Sequence, residues 1–305
     1  MILTVTLNPA IDVRYDMGNF QLDKTNRIDS IHKTAGGKGL NVTRVVHQLG
    51  EPVLATGLLG GKAGEWIESE LDAARIRHDF YHVEGETRSC HAFLHEGHQT
   101  EVLEAGPTVS ELEWHGFLEH FVTLLEEATL VVASGSLPKG VPTSAYRQLN
   151  ELVERLGKRM ILDTSGIALR EGVMSKPFLI KPNETELAAL EPSKSTEVAL
   201  DLLADTIPWI VHSMGKDGAI GLVEGERYVV TVPSIEAINP VGSGDAMVAG
   251  IAVGLLRQYP IEQTLALGSA TGTLNALEPG TGTISVQALP DLLEKIKVNQ
   301  LFSPS

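Results

Sequence analysis

The chain carries a single cysteine, Cys90, among 305 residues. One thiol excludes an internal disulfide framework and fits a reducing compartment. Long apolar runs are also missing, and none approaches the roughly 20 residues that a membrane-spanning helix needs. The opening MILTVTLNPAID lacks the charged start of a signal peptide and reads instead as a buried first strand. The expectation is a cytoplasmic protein with no membrane partner. Positive charge is scarce as well: 24 Lys and Arg against 39 Asp and Glu leave a net charge of −15. That argues against non-specific nucleic-acid binding, which depends on a basic surface. It does not exclude a small phosphorylated molecule held by a few converging cations, so isolated lysines and arginines are the residues to follow. Also absent are the spacings GxxxxGK[ST], GxSxG and HExxH, a GxGxxG after a strand, internal repeats, low-complexity stretches and linkers.

What remains is 43% apolar and 21% charged, the balance of a globular protein. Apolar runs rich in Val, Ile and Leu at 2–7, 53–59, 130–136, 159–165, 178–183 and 209–214 read as strands. Stretches of helical length near 40–49, 65–75, 110–127, 143–157, 184–191 and 196–204 lie between them. Strands apolar throughout, alternating with helices, predict an α/β protein whose parallel sheet is covered on both faces. Several strands end in small or polar residues (SGS, DTS, KPN, HSMG), and ligands of open parallel sheets bind at those carboxyl ends. Two segments break the alternation. Residues 12–34 lack helical periodicity, and TRSCHAFLHEGHQTEVLEA within 79–105 reads as a hairpin turning near Glu96–Gly97. Together they predict one domain, 1–305, with a small β-sheet lid built from about 12–34 and 87–105, an ordinary edge hairpin being the blander alternative. The terminal NQLFSPS reads as a loose tail.

Five motifs stand out. In AGGKGLNVTRV (35–45) a Gly-rich turn explains the glycines but not Lys38, a cation among three of them. In GETRSC (85–90), Arg88 alone is an unremarkable strand residue; over a crevice shared with Lys38, its fork-shaped guanidinium suits a phosphate. In IKPNETE (180–186), Asn183 and Glu186 share a helix face, either as an N-cap with its N3 partner or as oxygen ligands for Mg²⁺. HSMGKDGA (212–219) is a turn between strands. In PVGSGDAM (240–247) two glycines precede an apolar helix, an arrangement whose free N–H groups attract anions, yet Asp245 places a carboxylate among them. His91, His95 and His98 lack the tight tetrahedral spacing of zinc-site classes and read as a solvated strand face; Cys90 reads as a buried small residue.

With GGKGLN near the start and GSGD near the end, the sequence resembles the phosphofructokinase-B (ribokinase-like) family of sugar kinases over nearly its whole length. TLNPAIDV and GETRSC place the resemblance in the hexose-phosphate branch. It implies a doubly wound, mostly parallel sheet with helices on both faces, a β-lid that often serves as a dimer contact, and the use of ATP and Mg²⁺ on a sugar phosphate. It further implies Asp245 as catalytic base and Gly242, Ser243 and Gly244 as the anion hole. Asp12, Gly37, Lys38 and Asn41 would hold the sugar, and Arg88, with Arg27 from the lid, its phosphate. Lys181, Asn183 and Glu186 match the nucleotide–Mg²⁺ segment, while Ser213, Gly215 and Asn275 would line the nucleotide. One departure is Asn239-Pro240-Val241, where many relatives have Asp-Thr before the glycines; Pro240 fixes φ and removes a donor, which puts a monovalent-cation contact there in doubt. A non-catalytic sugar-phosphate sensor on this scaffold would be marked by an eroded GSGD, which is intact here.

Overall fold

In a computed structural model describing residues 1–28 and 30–301, the apolar opening forms β1 (Ile2–Thr6), every residue of which is buried. The chain then leaves the core as β2 (Ala10–Asp16) and β3 (Ser30–Gly36) before α1 (Lys38–Gln48) returns it. Next come β4 (Val53–Leu59), α2 (Gly61–Ala73) and the short β5 (Arg77–His78) and β6 (Tyr81–His82). A second excursion forms β7 (Arg88–His95) and β8 (His98–Leu103). The alternation resumes with α3 (Glu111–Leu125), β9 (Leu130–Ser134), α4 (Ala145–Arg155), β10 (Arg159–Asp163), α5 (Gly166–Val173) and β11 (Leu179–Ile180). It continues with α6 (Glu184–Leu190), α7 (Thr196–Ala204), β12 (Trp209–Ser213), β13 (Ala219–Val223) and β14 (Glu226–Thr231). The chain closes with α8 (Ser243–Leu256), α9 (Ile261–Ala276), α10 (Leu289–Leu293) and β15 (Lys297–Leu301).

Among the described residues, eleven strands form the main sheet, in the order β15-β14-β13-β12-β11-β10-β9-β1-β4-β5 with β6 also on β4. From β12 to β4 every neighbour is parallel, and β13, β14 and β15 extend one edge as antiparallel strands. Two apolar cores follow from the period-2 alternation of buried strands. Ile2, Val132 and Ile161 pack with α1, α2, α8 and α9 on one face, while Leu3, Val5, Val131 and Leu162 pack with α3 to α7 on the other. The expected doubly wound sheet with helices on both faces is present. Among the described residues no helix is long and apolar enough to cross a membrane.

The two excursions form a separate four-stranded sheet, β3-β2-β7-β8. The β7–β8 turn falls at Glu96–Gly97, both with positive φ (49° and 76°), the backbone that a two-residue hairpin loop requires. The first excursion starts earlier and ends later than 12–34, at Ala10 and Gly36, and Asp29 lies outside the described residues. β2 and β7 pair parallel, Asp12 opposite Cys90 and Arg14 opposite Ala92. The expected strand at 178–183 shrinks to Leu179–Ile180, because Asn183 already caps α6. The terminal segment is corrected too: Asn299–Leu301 belong to β15, paired antiparallel with β14, and residues 302–305 lie outside the described residues. The alternating exposure of β15 is that of an edge strand, with Val298 and Gln300 half-buried and Lys297, Asn299 and Leu301 exposed.

Candidate active site

A cavity of about 1120 Å³ lies between the lid sheet and the carboxyl ends of the parallel strands. One wall is the N-terminus of α8. Gly242 caps the helix in a left-handed conformation (φ 83°), and a side chain there would crowd Thr281 Cβ at 3.2 Å. The Ser243 N–H turns back to the Pro240 carbonyl (3.2 Å), whereas the Gly244 and Asp245 N–H groups find no acceptor among the described residues. The Gly242 N–H is free among them as well, so of the expected trap only the Ser243 N–H is otherwise engaged. Gly244 has its own constraint, since an added Cβ would stand 3.2 Å from Lys181 Nζ.

Asp245 is buried, 6% exposed, and its Oδ2 accepts from Asn41 Nδ2 at 2.7 Å. Burial first, and then the charge of Asp163, push its pKa from 3.8 up to about 6, against the opposing pull of Lys38, Asn41 and Lys181. Asn41 cannot turn its amide round, because Arg44, one turn along α1, donates to its Oδ1. Arg44 also holds the carbonyls of Ala35 and Thr281, so a half-buried guanidinium ties α1 to the loop after α9.

Lys38 opens α1 with its ammonium 3.6 Å from Asp163 Oδ2 and 3.9 Å from Glu186 Oε1. Lys181 reaches the other Asp163 oxygen at 3.4 Å. Asp163 itself is fully buried at the end of β10; burial would raise its pKa, but the Lys181 and Lys38 ammoniums hold it below the usual value. The same pairing, with Asp163 first, holds the Lys38 ammonium above its ordinary value. The strand ending DTS pointed to this spot, but without a role for its aspartate.

The glycines before Lys38 are explained by Asp12. A Cβ on Gly36 would overlap the Asp12 carboxylate, and Gly37 (φ 107°) passes within reach of Thr6 and Pro9. Burial raises the Asp12 pKa, opposed by Arg44, Arg88 and the Gly37 N–H. Gly36→Ala is expected to force Asp12 out of place and to cost roughly 1–3 kcal/mol in stability, measurable by thermal unfolding. Arg88 projects from β7 into the same half of the cavity, anchored by the carbonyls of Asn8 (3.0 Å) and Glu104 (3.2 Å).

Asn183 and Glu186 form a complete capping box on α6, with bonds of 2.9 and 3.0 Å. This engages Asn183 Oδ1 and Glu186 Oε2 but leaves Glu186 Oε1 on the Lys38 side. Among the described residues no group of three or more His, Cys, Asp or Glu is placed to hold a metal ion. The carboxylate oxygen that the box leaves over, Glu186 Oε1 at 3.9 Å from the Lys38 ammonium, fits Mg²⁺ that is carried chiefly by phosphates and water. Ser213 and Gly215 line the cavity with Lys181 and Asn183, at the end away from Arg88.

Two expected contacts differ. Arg27 sits exposed in the connection between β2 and β3 and does not line the cavity; the residue that does is Arg14, on the Asp12 face of β2. Asn275 is fully buried in α9 rather than lining the cavity; it donates to the Val241 carbonyl (2.9 Å) and accepts the Gly282 N–H (2.8 Å). It fixes the turn before α8 from behind. Sequence reading also missed Asp163, Arg44 and Arg14. Arg14 had a signal, an i, i+2 strand spacing from Asp12; Arg44 had an i, i+3 spacing from Asn41. Cys90 faces the cavity half-buried, its thiol pushed up by burial, and His91 meets Tyr15 Oη at 3.1 Å.

Comparison with known proteins is consistent along the whole chain. The family model described as pfkB family carbohydrate kinase matches residues 5–288. A tagatose-6-phosphate kinase of Staphylococcus epidermidis is 45% identical over 307 aligned positions, covering 98% of this chain and 99% of that protein. Among solved structures, phosphofructokinase-2 from Escherichia coli in complex with potassium superposes with a TM-score of 0.89 at 28% identity, over 96% of this chain and 98% of that one. A possible 1-phosphofructokinase from Thermotoga maritima gives 0.89 at 26% identity, over 99% and 100%.

Proposed function

This chain belongs to the pfkB family of carbohydrate kinases, and from that premise we propose that it transfers the γ-phosphoryl group of ATP to the C1 hydroxyl of tagatose 6-phosphate, giving tagatose 1,6-bisphosphate and ADP. The 45% identity to a protein named for that activity supports the substrate. The observation that carries the chemistry is Asp245, a buried carboxylate with a pKa of about 6 beside unpaired helix N–H groups. It is ionised at neutral pH yet more basic than an ordinary aspartate. Asp245 accepts the hydroxyl proton as the C1 oxygen bonds to the γ-phosphorus and the bond to the β–γ bridging oxygen breaks. The conflict between carboxylate and anion trap resolves by direction: Asn41 holds one oxygen, and the free N–H groups meet charge that appears only during transfer.

The sugar occupies the lid half, with Asp12, Gly37, Lys38 and Asn41 around its hydroxyls and Arg88 on its existing phosphate. ATP occupies the end lined by Lys181, Asn183, Ser213 and Gly215. Glu186 and Asn183 are the residues that would hold Mg²⁺, which when bound neutralises phosphate charge. Gly242 and Ser243 shape the turn, and the Gly242 and Gly244 N–H groups form the anion hole. The chain acts as one domain, 1–305, whose lid excludes water. The outer lid face, with Ile31 and Val102 more than half exposed, supports a homodimer through the lid, which sedimentation at several concentrations tests.

A second reading, 1-phosphofructokinase acting on fructose 1-phosphate at C6, is favoured by the likeness to the Thermotoga protein. Both products are ketohexose 1,6-bisphosphates. ADP release measured with tagatose 6-phosphate, fructose 6-phosphate and fructose 1-phosphate decides, and a higher kcat/KM on fructose 1-phosphate overturns the first reading. Arg88→Ala is expected to raise KM for the sugar phosphate by roughly 10- to 100-fold, the worth of one charge-assisted contact, with a smaller change in kcat. An unchanged KM removes Arg88 from the site.

A further inference from the structure

Arg14 has no part in the chemistry above, yet it crosses the cavity mouth. Its Nη1 donates to the Pro279 carbonyl at 2.7 Å, linking lid strand β2 to the loop after α9. Asp16 braces the guanidinium from its own strand, 3.3 Å from Nε, and is itself held by Ser30 Oγ at 2.7 Å. The Pro279 carbonyl takes a second bond, from Asn239 Nδ2 at 3.2 Å, as its two lone pairs allow. Asn239 Oδ1 in turn accepts the Val241 N–H at 3.0 Å, one residue before the Gly242 turn. Asn239 is also where the sequence departs from the Asp-Thr of many relatives. A single carbonyl thus joins the sheet that covers the sugar to the turn that opens α8.

We propose that Arg14 and Asn239 are positioning residues that act through the Pro279 carbonyl as a relay, setting the Gly242–Asp245 turn by the seating of the lid. This rests on the kinase reading. Its consequence is that transfer to the sugar phosphate is favoured over transfer to water, because the turn is in register only when the lid is down. Phosphoryl transfer to water makes ADP and inorganic phosphate, so the two fates are separable by product. Neither residue touches the reacting atoms.

The test uses Arg14→Met, Arg14→Lys and Asn239→Asp in the full chain. Asn239→Asp keeps the acceptor for Val241 but sets an oxygen against the Pro279 carbonyl. Each of Arg14→Met and Asn239→Asp is expected to raise the ratio of ATP hydrolysis to sugar-phosphate transfer about tenfold through misplacement of the turn. The double variant is expected to be no worse than the worse single, and Arg14→Lys to restore part of the ratio. Multiplying effects in the double variant overturn the relay. Amide exchange in the ligand-free protein is measured alongside: faster exchange at 239–245 in Arg14→Met is expected, and unchanged exchange overturns the proposal. Should Arg14→Met not fold, the same exchange in 279–282 and 241–245 of Asn239→Asp decides, faster exchange supporting the relay and unchanged exchange overturning it. If the wild-type chain phosphorylates none of the three sugar phosphates, the kinase reading falls while the exchange result still judges the relay.

Discussion

Replacing Asp245 by asparagine is expected to lower kcat by about 10²- to 10⁴-fold, the usual worth of a general base, while KM for sugar phosphate and ATP moves little. The same change is expected to stabilise the fold. Asp245 has a folded-state pKa of about 6 against an ordinary value of 3.8, so burial of its charge opposes folding wherever that charge is present. For an acid raised on folding, the penalty is absent below about pH 4, grows between the two values and is complete above about pH 6. Asparagine keeps the Asn41 contact and removes the charge, a gain of roughly 1–3 kcal/mol at pH 8 that fades as the pH falls toward 4. In the wild type kcat/KM is expected to fall below about pH 6 as the base is protonated. Thermal unfolding at pH 8 and pH 4.5, read with turnover, checks both halves. Near-normal turnover in the asparagine variant would remove Asp245 from the base role, and loss of stability at pH 8 would contradict the burial account.

Asp163→Asn is expected to be the most damaging change to stability in the site, at about 3–5 kcal/mol, because it leaves two ammoniums near one another with their buried counter-charge gone. The half-exposed Lys38 can shed part of that cost to solvent; Lys181, only 4% exposed at its side chain, cannot. Asp163 is depressed on folding, so its stabilisation is present above the unfolded value and is lost as pH falls through its lower folded value. The substitution also removes the charge that helps raise Asp245, so the acidic limb of the activity profile is expected to move to lower pH. Denaturant unfolding together with a pH–rate profile measures the two effects separately. A variant that unfolds like the wild type and keeps its acidic limb would show that Asp163 is an ordinary strand-end residue.

The parallel part of the main sheet was legible because its strands are apolar throughout and alternate with stretches of helical length, so a local window carries the signal; the edge strands β14 and β15, with mixed exposure, were not. β2 and β7 were harder. They pair parallel across more than seventy positions of chain, from Asp12 to Cys90, and a local window contains nothing about the partner. Asp245 was legible because glycines and a carboxylate at a helix start conflict unless the carboxylate has a task. Asp163 was not, since DTS at a strand end reads equally well as a helix cap, and only the fold brings Lys38 and Lys181 to it from elements far apart in sequence. Arg27 and Arg14 show the same limit in reverse. Both lie in one excursion, and strand parity with Asp12 points to Arg14, whereas Arg27 falls in a connection with no periodicity to orient it. Asn275 carried the right neighbourhood and the wrong depth, because a polar residue in a helix does not announce whether it meets a ligand or a buried carbonyl.

Helix α8 is buried at every position from Asp245 to Leu255, packed against α1 and α9 and into the larger core. The lid strands are half-exposed or exposed over most of their length. Substitutions on α8 disturb close packing and are selected against for folding as well as for turnover, whereas lid positions such as Gln99 and Glu101 line the cavity, in the half proposed above for the sugar, at little cost to the core. Evolution toward a new sugar therefore has an open route along the lid, and the phosphoryl chemistry is inherited with the fold.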